Sequence, residues 1–104
     1  MGFVRTFSFS MPRDEADAIT PGNEAYTALV GGRKFVTQAQ SGLVETSVWR
    51  STNSSGMVNF VIYTEWSSIE DMQSYVNLPV IKEMEEILGS DNSPVQINVY
   101  EAIG

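Results

Sequence analysis

The chain contains no cysteine and no histidine. The first absence excludes disulfides, thiolate nucleophiles and cysteine-held metal sites together. The second removes the usual general base near neutral pH and the usual ligand for zinc, copper and haem iron. Chemistry must then fall to carboxylates, tyrosines, amides, backbone groups or the substrate itself, and no cofactor or metal is expected. Long apolar runs are missing too, since nothing approaches the roughly 18 to 20 residues that cross a bilayer. Arg5, Thr6, Ser8 and Ser10 interrupt the stretch from Met1 to Met11, so it does not read as a signal peptide. The expectation is a cytoplasmic protein with no membrane partner.

Positive charge is scarce, and unevenly so. Residues 1–52 balance Arg5, Arg13, Arg33, Lys34 and Arg50 against the acids Asp14, Glu15, Asp17, Glu24 and Glu45, whereas residues 53–104 set Lys82 alone against eight acids. The whole formal charge of -7 therefore arises in the second half. Such a surface repels phosphate backbones, and no basic stripe offsets it, so nucleic acid is not an expected partner. What is present is ordinary globular material: 104 residues, 42% of them hydrophobic, without repeats or biased tracts. That suffices for one domain spanning residues 1–104 and one core.

Apolar residues at 3, 7, 9 and 11 alternate with Thr6, Ser8 and Ser10, and Arg5 breaks the series; period two predicts a strand. Pro12 to Ile19 reads as an acidic surface connection, a candidate lid. Thr20 before Pro21 looks like a helix cap with proline at the first helical position. Ala25, Leu29, Val36 and Ala39 then fall at helical spacing. Gly31-Gly32 leaves two readings. Either the helix runs to about Gln40, with the glycines admitting a close neighbour, or it stops at Val30 and "KFVTQAQ" is a strand turning through Ser41-Gly42. The first is preferred. No strand precedes the glycines and no G-x-x-x-x-G-K pattern exists, so they are not a phosphate loop.

"LVETSVWR" and "MVNFVIYTEW", joined by the turn-forming "STNSSG", predict a hairpin. After Trp66, Ser67 to Glu70 has the spacing of a capping box. Ile69, Met72 and Val76 begin a helical stripe, Pro79 demands a break at Asn77-Leu78, and Val80, Ile81, Met84, Ile87 and Leu88 resume it up to Gly89. "SDNSP" reads as a loop and "VQINVYEA" as a last strand. Glu83, Glu85 and Glu86 with Lys82 make a solvated charged face, Lys82 pairing weakly with Glu85 or Glu86.

The order is β-α-β-β-α-β, the ferredoxin-like α+β arrangement, with a four-stranded antiparallel sheet and the first strand between the third and fourth. Within it, "FVIYTEWSSIEDMQSYVNLPVIKEM" resembles the antibiotic biosynthesis monooxygenase-like branch of the dimeric α+β barrels, most closely over residues 43–88. The resemblance implies a homodimer in which two sheets pack face to face into a barrel. It also implies relatives that include cofactor-free oxygenases of polyphenols and quinols, haem-degrading enzymes, and proteins without known activity. In the haem-degrading relatives an aromatic and a histidine contact the haem; the matching positions here are Tyr75 and Glu85, and a carboxylate in place of the iron ligand disfavours that activity. Glu65-Trp66 matches the family pattern at the strand end.

Two sets of candidate residues follow. The apolar sheet face and its helices offer a ligand pocket from Phe7, Phe9, Phe60, Ile62 and Trp66 with Tyr26, Met72, Tyr75 and Met84; Thr46 and Thr64 supply placed polar groups. For most of these, and for Trp66 above all, core packing is the plainer reading. The more polar face carries Ser8, Ser47, Trp49, Asn59, Tyr63, Asn98 and Tyr100, which would meet the partner subunit and satisfy their hydrogen bonds there. The function the resemblance implies is cofactor-independent monooxygenation of a small aromatic or quinol. The alternative is a protein that binds a small apolar ligand without turnover, or that only dimerises.

Overall fold

The structure is a computed structural model that describes residues 2–52, 56–89 and 95–104. Its elements run β1 (Phe3–Pro12), α1 (Arg13–Asp17), α2 (Glu24–Leu29), α3 (Gly31–Gln38), β2 (Leu43–Arg50), β3 (Met57–Trp66), α4 (Ile69–Val76), α5 (Pro79–Gly89) and β4 (Gln96–Glu101). Residues 53–55 of the "STNSSG" turn and the loop "SDNSP" lie outside the described residues. The sheet order is β2-β3-β1-β4, every neighbouring pair antiparallel, so the first strand sits between the third and fourth as the pattern predicts. This is a ferredoxin-like sheet with helices on one face. Among the described residues no helix is long and apolar enough to cross a membrane.

Alternation decides which face is covered. Phe7, Phe9 and Met11 of β1 and Val58, Phe60 and Ile62 of β3 point to the helices and are buried against Ala28, Leu29 and Leu88. The Phe9 and Phe60 rings stack with centroids 5.4 Å apart. Such aromatic pairs add to their area burial, by about 0.5 to 1.5 kcal/mol. A second cluster joins Trp66, Met72, Tyr75 and Ile81 beneath α4 and α5.

Arg5 corrects the expected pattern. It does not break the buried series but continues it, only 8% exposed, because its guanidinium forks onto the Glu85 carboxylate at 2.5 and 3.0 Å. Glu85 consequently faces Arg5 and not Lys82, and it is not part of a wholly solvated face.

Pro12 to Ile19 is not a plain surface connection either. It forms α1, whose Ala16 is 2% exposed within the core, and the Arg13 amide donates to Gly56 O at 3.0 Å. The cap at Thr20 moves as well. The chain turns through Thr20 to Asn23, and Asn23 caps α2, its side-chain oxygen accepting from the Ala25 and Tyr26 amides at 2.8 and 3.3 Å.

Helix, not strand, follows Gly31-Gly32. Val30 (φ -119°, ψ -72°) breaks the axis, yet its carbonyl still accepts from the Lys34 amide at 2.9 Å, and α3 runs on to Gln38. A Cβ on Gly32 would stand 2.9 Å from Thr27 Cγ2 and 3.3 Å from Met84 Cε, so the glycine admits the Met84 side chain of α5. The break also rotates the buried face. Ala39 is exposed, and Arg33 and Thr37 point inward.

The second helical region ends α4 at an Asn77 cap and restarts at Pro79, as the proline requires. Its N-cap is Ser68, one residue beyond the expected Ser67: Ser68 Oγ accepts from the Asp71 amide at 3.2 Å and donates to Asp71 Oδ2 at 2.9 Å.

Candidate functional site

A cleft of about 330 Å³ opens between α2, α3 and the edge strand β2, and α1 closes one side of it. Its apolar walls are Ala16, Ile19, Leu29, Val30, Val48 and Phe60; Tyr26, Arg33, Lys34, Thr46, Ser47 and Arg50 are its polar lining. The cleft exists because β2 is an edge strand whose helix-facing residues are only half covered. A bulge between Leu43 and Glu45 sets their phase, and Thr46, Val48 and Arg50 then share the helix face with Thr64, Ile62 and Phe60 of β3. Arg50 leans over the Phe60 ring, 6.0 Å from its centroid, and pairs with Asp17 of α1 at the rim.

Arg33 is the organising group. It is 4% exposed, and it donates through Nε to Leu29 O at 2.8 Å and through Nη1 to Thr46 Oγ1 at 3.0 Å. Thr46 in turn donates to Tyr63 O at 3.0 Å, which fixes its rotamer. Thr37 Oγ1 donates to Arg33 O at 2.6 Å. That spends its only proton, so the Tyr75 hydroxyl, 2.9 Å away, must be the donor to Thr37. Burial lowers the Arg33 pKa, with the Tyr75 oxygen opposing; an arginine remains a cation at neutral pH regardless.

The opposite sheet face carries no helix. Trp49 and Tyr63 stack there with centroids 5.9 Å apart and planes within 7°, and Trp49 and Tyr100 are 61% and 54% exposed. The Tyr63 hydroxyl donates to Glu65 Oε1 at 3.1 Å. Burial, that hydrogen bond, and the charges of Glu65 and Glu45 all raise its pKa.

No family profile matches the chain, and no curated protein matches it significantly. Solved structures do. A candidate antibiotic biosynthesis monooxygenase from Deinococcus radiodurans superposes with a TM-score of 0.75 at 19% identity, over 96% of this chain and 91% of that one. The fold is that of the antibiotic biosynthesis monooxygenase-like structures. A cofactor-independent oxygenase from Streptomyces nogalater matches with a TM-score of 0.69 at 13% identity, covering 99% and 94%. A dimeric protein of unknown function and ferredoxin-like fold from Bacteroides fragilis gives 0.60 at 19% identity, covering 96% of each chain.

Within this monooxygenase-like fold the expected pocket residues divide. Tyr26, Thr46 and Phe60 line the cleft. Phe7, Phe9 and Ile62 pack in the first core cluster, and Trp66, Met72 and Tyr75 in the second. Thr64 is buried and its hydroxyl reaches Arg5 O at 3.4 Å; Met84 borders a separate groove between α2 and α5. Trp66 is fully buried against Tyr75, ring centroids 4.9 Å apart, and its Nε1 is the one buried side-chain donor without a partner among the described residues.

The seven residues expected at an interface, Ser8, Ser47, Trp49, Asn59, Tyr63, Asn98 and Tyr100, fall on the helix-free face by strand register, and Ser47, on the edge strand, also borders the cleft. Ser10 and Asn59 hydrogen bond to each other there. The sequence reading missed Arg33, Val30 and Arg50 as cleft residues. The signal available was Arg33 on an otherwise apolar helical face, four residues after Leu29.

Proposed function

We propose that the protein is a homodimeric α+β barrel that takes a small aromatic or quinol molecule into the cleft beside Arg33 and oxygenates it without a cofactor. The observation that carries the reading is the cleft itself. It lies between helices and sheet, walled by Tyr26, Leu29, Val30 and Phe60, with a few convergent polar groups. This is the usual make-up of a small-molecule site, and its volume suits one or two fused rings at the lower end of the usual range, roughly 300 to 1,000 Å³. The match to a structure described as a cofactor-independent oxygenase supports the reaction class. In such a reaction the electron-rich ring of the substrate reduces dioxygen, and the protein's part is to orient the ring and exclude water. Tyr26 and Phe60 supply faces for the ring, and Thr46 and Arg33 supply donors to its oxygens.

The dimer is supported by the uncovered sheet face. A sheet normally buries both faces or leaves one polar, and here Trp49, Tyr63 and Tyr100 stand exposed or half-buried among serines and asparagines. A second copy related by a two-fold axis would cover the same patch on both chains. The dimeric neighbour of ferredoxin-like fold agrees with this.

One observation favours the second reading, binding without turnover. Among the described residues lining the cleft none is a carboxylate, so no protein group poised near neutral pH stands ready to take a proton. Oxygen-electrode measurements with a panel of naphthoquinols and anthrones separate the two. Protein-dependent oxygen uptake is expected for at least one, and binding without uptake across the panel would select the second reading.

A further inference from the structure

We infer that the cleft takes its ligand as an anion, a small aromatic carboxylate whose oxygens dock on the Arg33 guanidinium. The inference rests on the cleft reading above and narrows the ligand class.

The argument begins with the missing counter-charge. Buried charges in proteins are ordinarily paired, since a desolvated ion without a partner is costly. Arg5 obeys this through Glu85 and Arg50 through Asp17. Arg33, at 4% exposure the most buried cation among the described residues, has no carboxylate partner; its acceptors are the neutral oxygens of Leu29, Thr46 and Thr37.

The second observation is geometric. A guanidinium has five N-H donors. Nε and Nη1 of Arg33 donate to protein oxygens, and the other polar group beside the guanidinium is the neutral Tyr75 hydroxyl. Arg33 itself borders the cleft. The protein hydrogen bonds of Nε and Nη1 fix the guanidinium in direction at the wall of the cleft.

The third is the local field. The chain carries a net charge of -7 with six basic residues, and Arg33, Lys34 and Arg50 are three of those six. A cleft lined by one sign of charge between low-dielectric walls concentrates ions of the other sign. Asp17 offsets Arg50 at the rim, so Arg33 and Lys34 leave this cleft of an acidic protein with a positive lining. Charge-assisted hydrogen bonds exceed neutral ones by roughly a factor of two in energy, and tenfold in affinity is the effect to look for.

The test uses the full chain and the pair 1-hydroxy-2-naphthoate and its methyl ester, titrated by calorimetry at pH 7.5 in low and high salt. The two differ in one charge and hardly in shape. The acid is expected to bind about tenfold or more tightly than the ester, with the margin shrinking in salt. Arg33→Gln should erase the margin between acid and ester, and Arg33→Lys should keep part of it. The wild-type comparison needs no variant, so it decides the matter even if Arg33→Gln fails to fold. Equal affinity for acid and ester, or a preference that survives in Arg33→Gln, overturns the anion inference and leaves the cleft reading standing. If neither compound binds at millimolar concentration, the cleft reading falls and the inference with it.

Discussion

Arg5 and Arg33 are both withdrawn from water, and the difference between them separates a structural cation from a functional one. Arg5 has Glu85 in bidentate geometry, with side-chain exposures of 9% and 20%. Removing one member strands the other. Glu85→Gln is expected to cost roughly 2 to 4 kcal/mol, toward the lower end because Glu85 keeps some solvent contact. The double variant Arg5→Met with Glu85→Leu should recover most of that loss, because apolar groups of similar volume fill the site without an orphaned charge. Urea unfolding of the three proteins measures both effects, and a loss below about 0.5 kcal/mol in Glu85→Gln would place the pair with ordinary surface ion pairs. None of this was legible in the chain. The partners lie 80 residues apart, and an arginine within an alternating strand reads as an interruption when its partner is unknown. Glu85 likewise read as surface because its neighbours Glu83 and Glu86 are. Trp66 was legible: a large aromatic ending a strand before a helix start packs where those elements meet, and it lies fully buried there.

At the scale of elements, the pattern of apolar positions predicted type well and ends poorly. β1, β3 and α5 follow their periods, and Pro79 divides α4 from α5 for the reason proline always does. The caps slipped because several residues could have served. Thr20 and Asn23 are both cap formers, as are Ser67 and Ser68, and the choice falls to whichever side chain the tertiary approach lets turn inward. Ser68 wins because the Ser67 amide is already held by Gly42 O at 2.8 Å. That contact makes Gly42 the tightest point between the loop before β2 and the start of α4. Its φ is +81°, and a Cβ would lie 2.2 Å from Asp71 Oδ2, the carboxylate that accepts from the Ser68 hydroxyl. Gly42→Ala must therefore strain the backbone and push Asp71 off its cap. The expected loss is about 2 kcal/mol, and Gly22→Ala supplies the control, since Gly22 also has positive φ (+98°) but nothing within 4 Å. Thermal unfolding should show Gly42→Ala falling well below Gly22→Ala; equal losses would mean that Asp71 moves aside freely. Val30 is the other place where local pattern misled. Its φ/ψ break turns α3 so that Arg33 and Thr37 face inward, and no composition rule places an arginine there.

For the whole molecule, topology was readable because element order and alternation constrain a ferredoxin-like sheet almost completely. The cleft was not readable, because it depends on how far the α2-α3 pair leaves the edge strand uncovered. Residues on one face of a sheet can be listed from a sequence, but which of them stop packing and begin to line space is a matter of helix position. Hence Tyr26, Thr46 and Phe60 line the cleft while their neighbours on the same face close the core. Assembly can be tested on the opposite face without touching the cleft. Trp49→Glu places a charge on the uncovered face, on an edge-strand residue 61% exposed in the single chain. Sedimentation velocity should show the wild type as a dimer and the variant as a folded monomer, and a monomeric wild type would remove the barrel from the account.

The most direct trial of the central claim, that a small aromatic molecule occupies the cleft beside Arg33, is a two-dimensional amide NMR titration of the wild-type protein with 1,4-dihydroxynaphthalene under nitrogen. The account predicts saturable shifts concentrated at Tyr26, Leu29, Val30, Arg33, Thr46 and Phe60, with Trp66 and its cluster little changed. Saturable shifts centred on Trp66, Met72 and Tyr75 instead, or no saturable shifts at all, would contradict it.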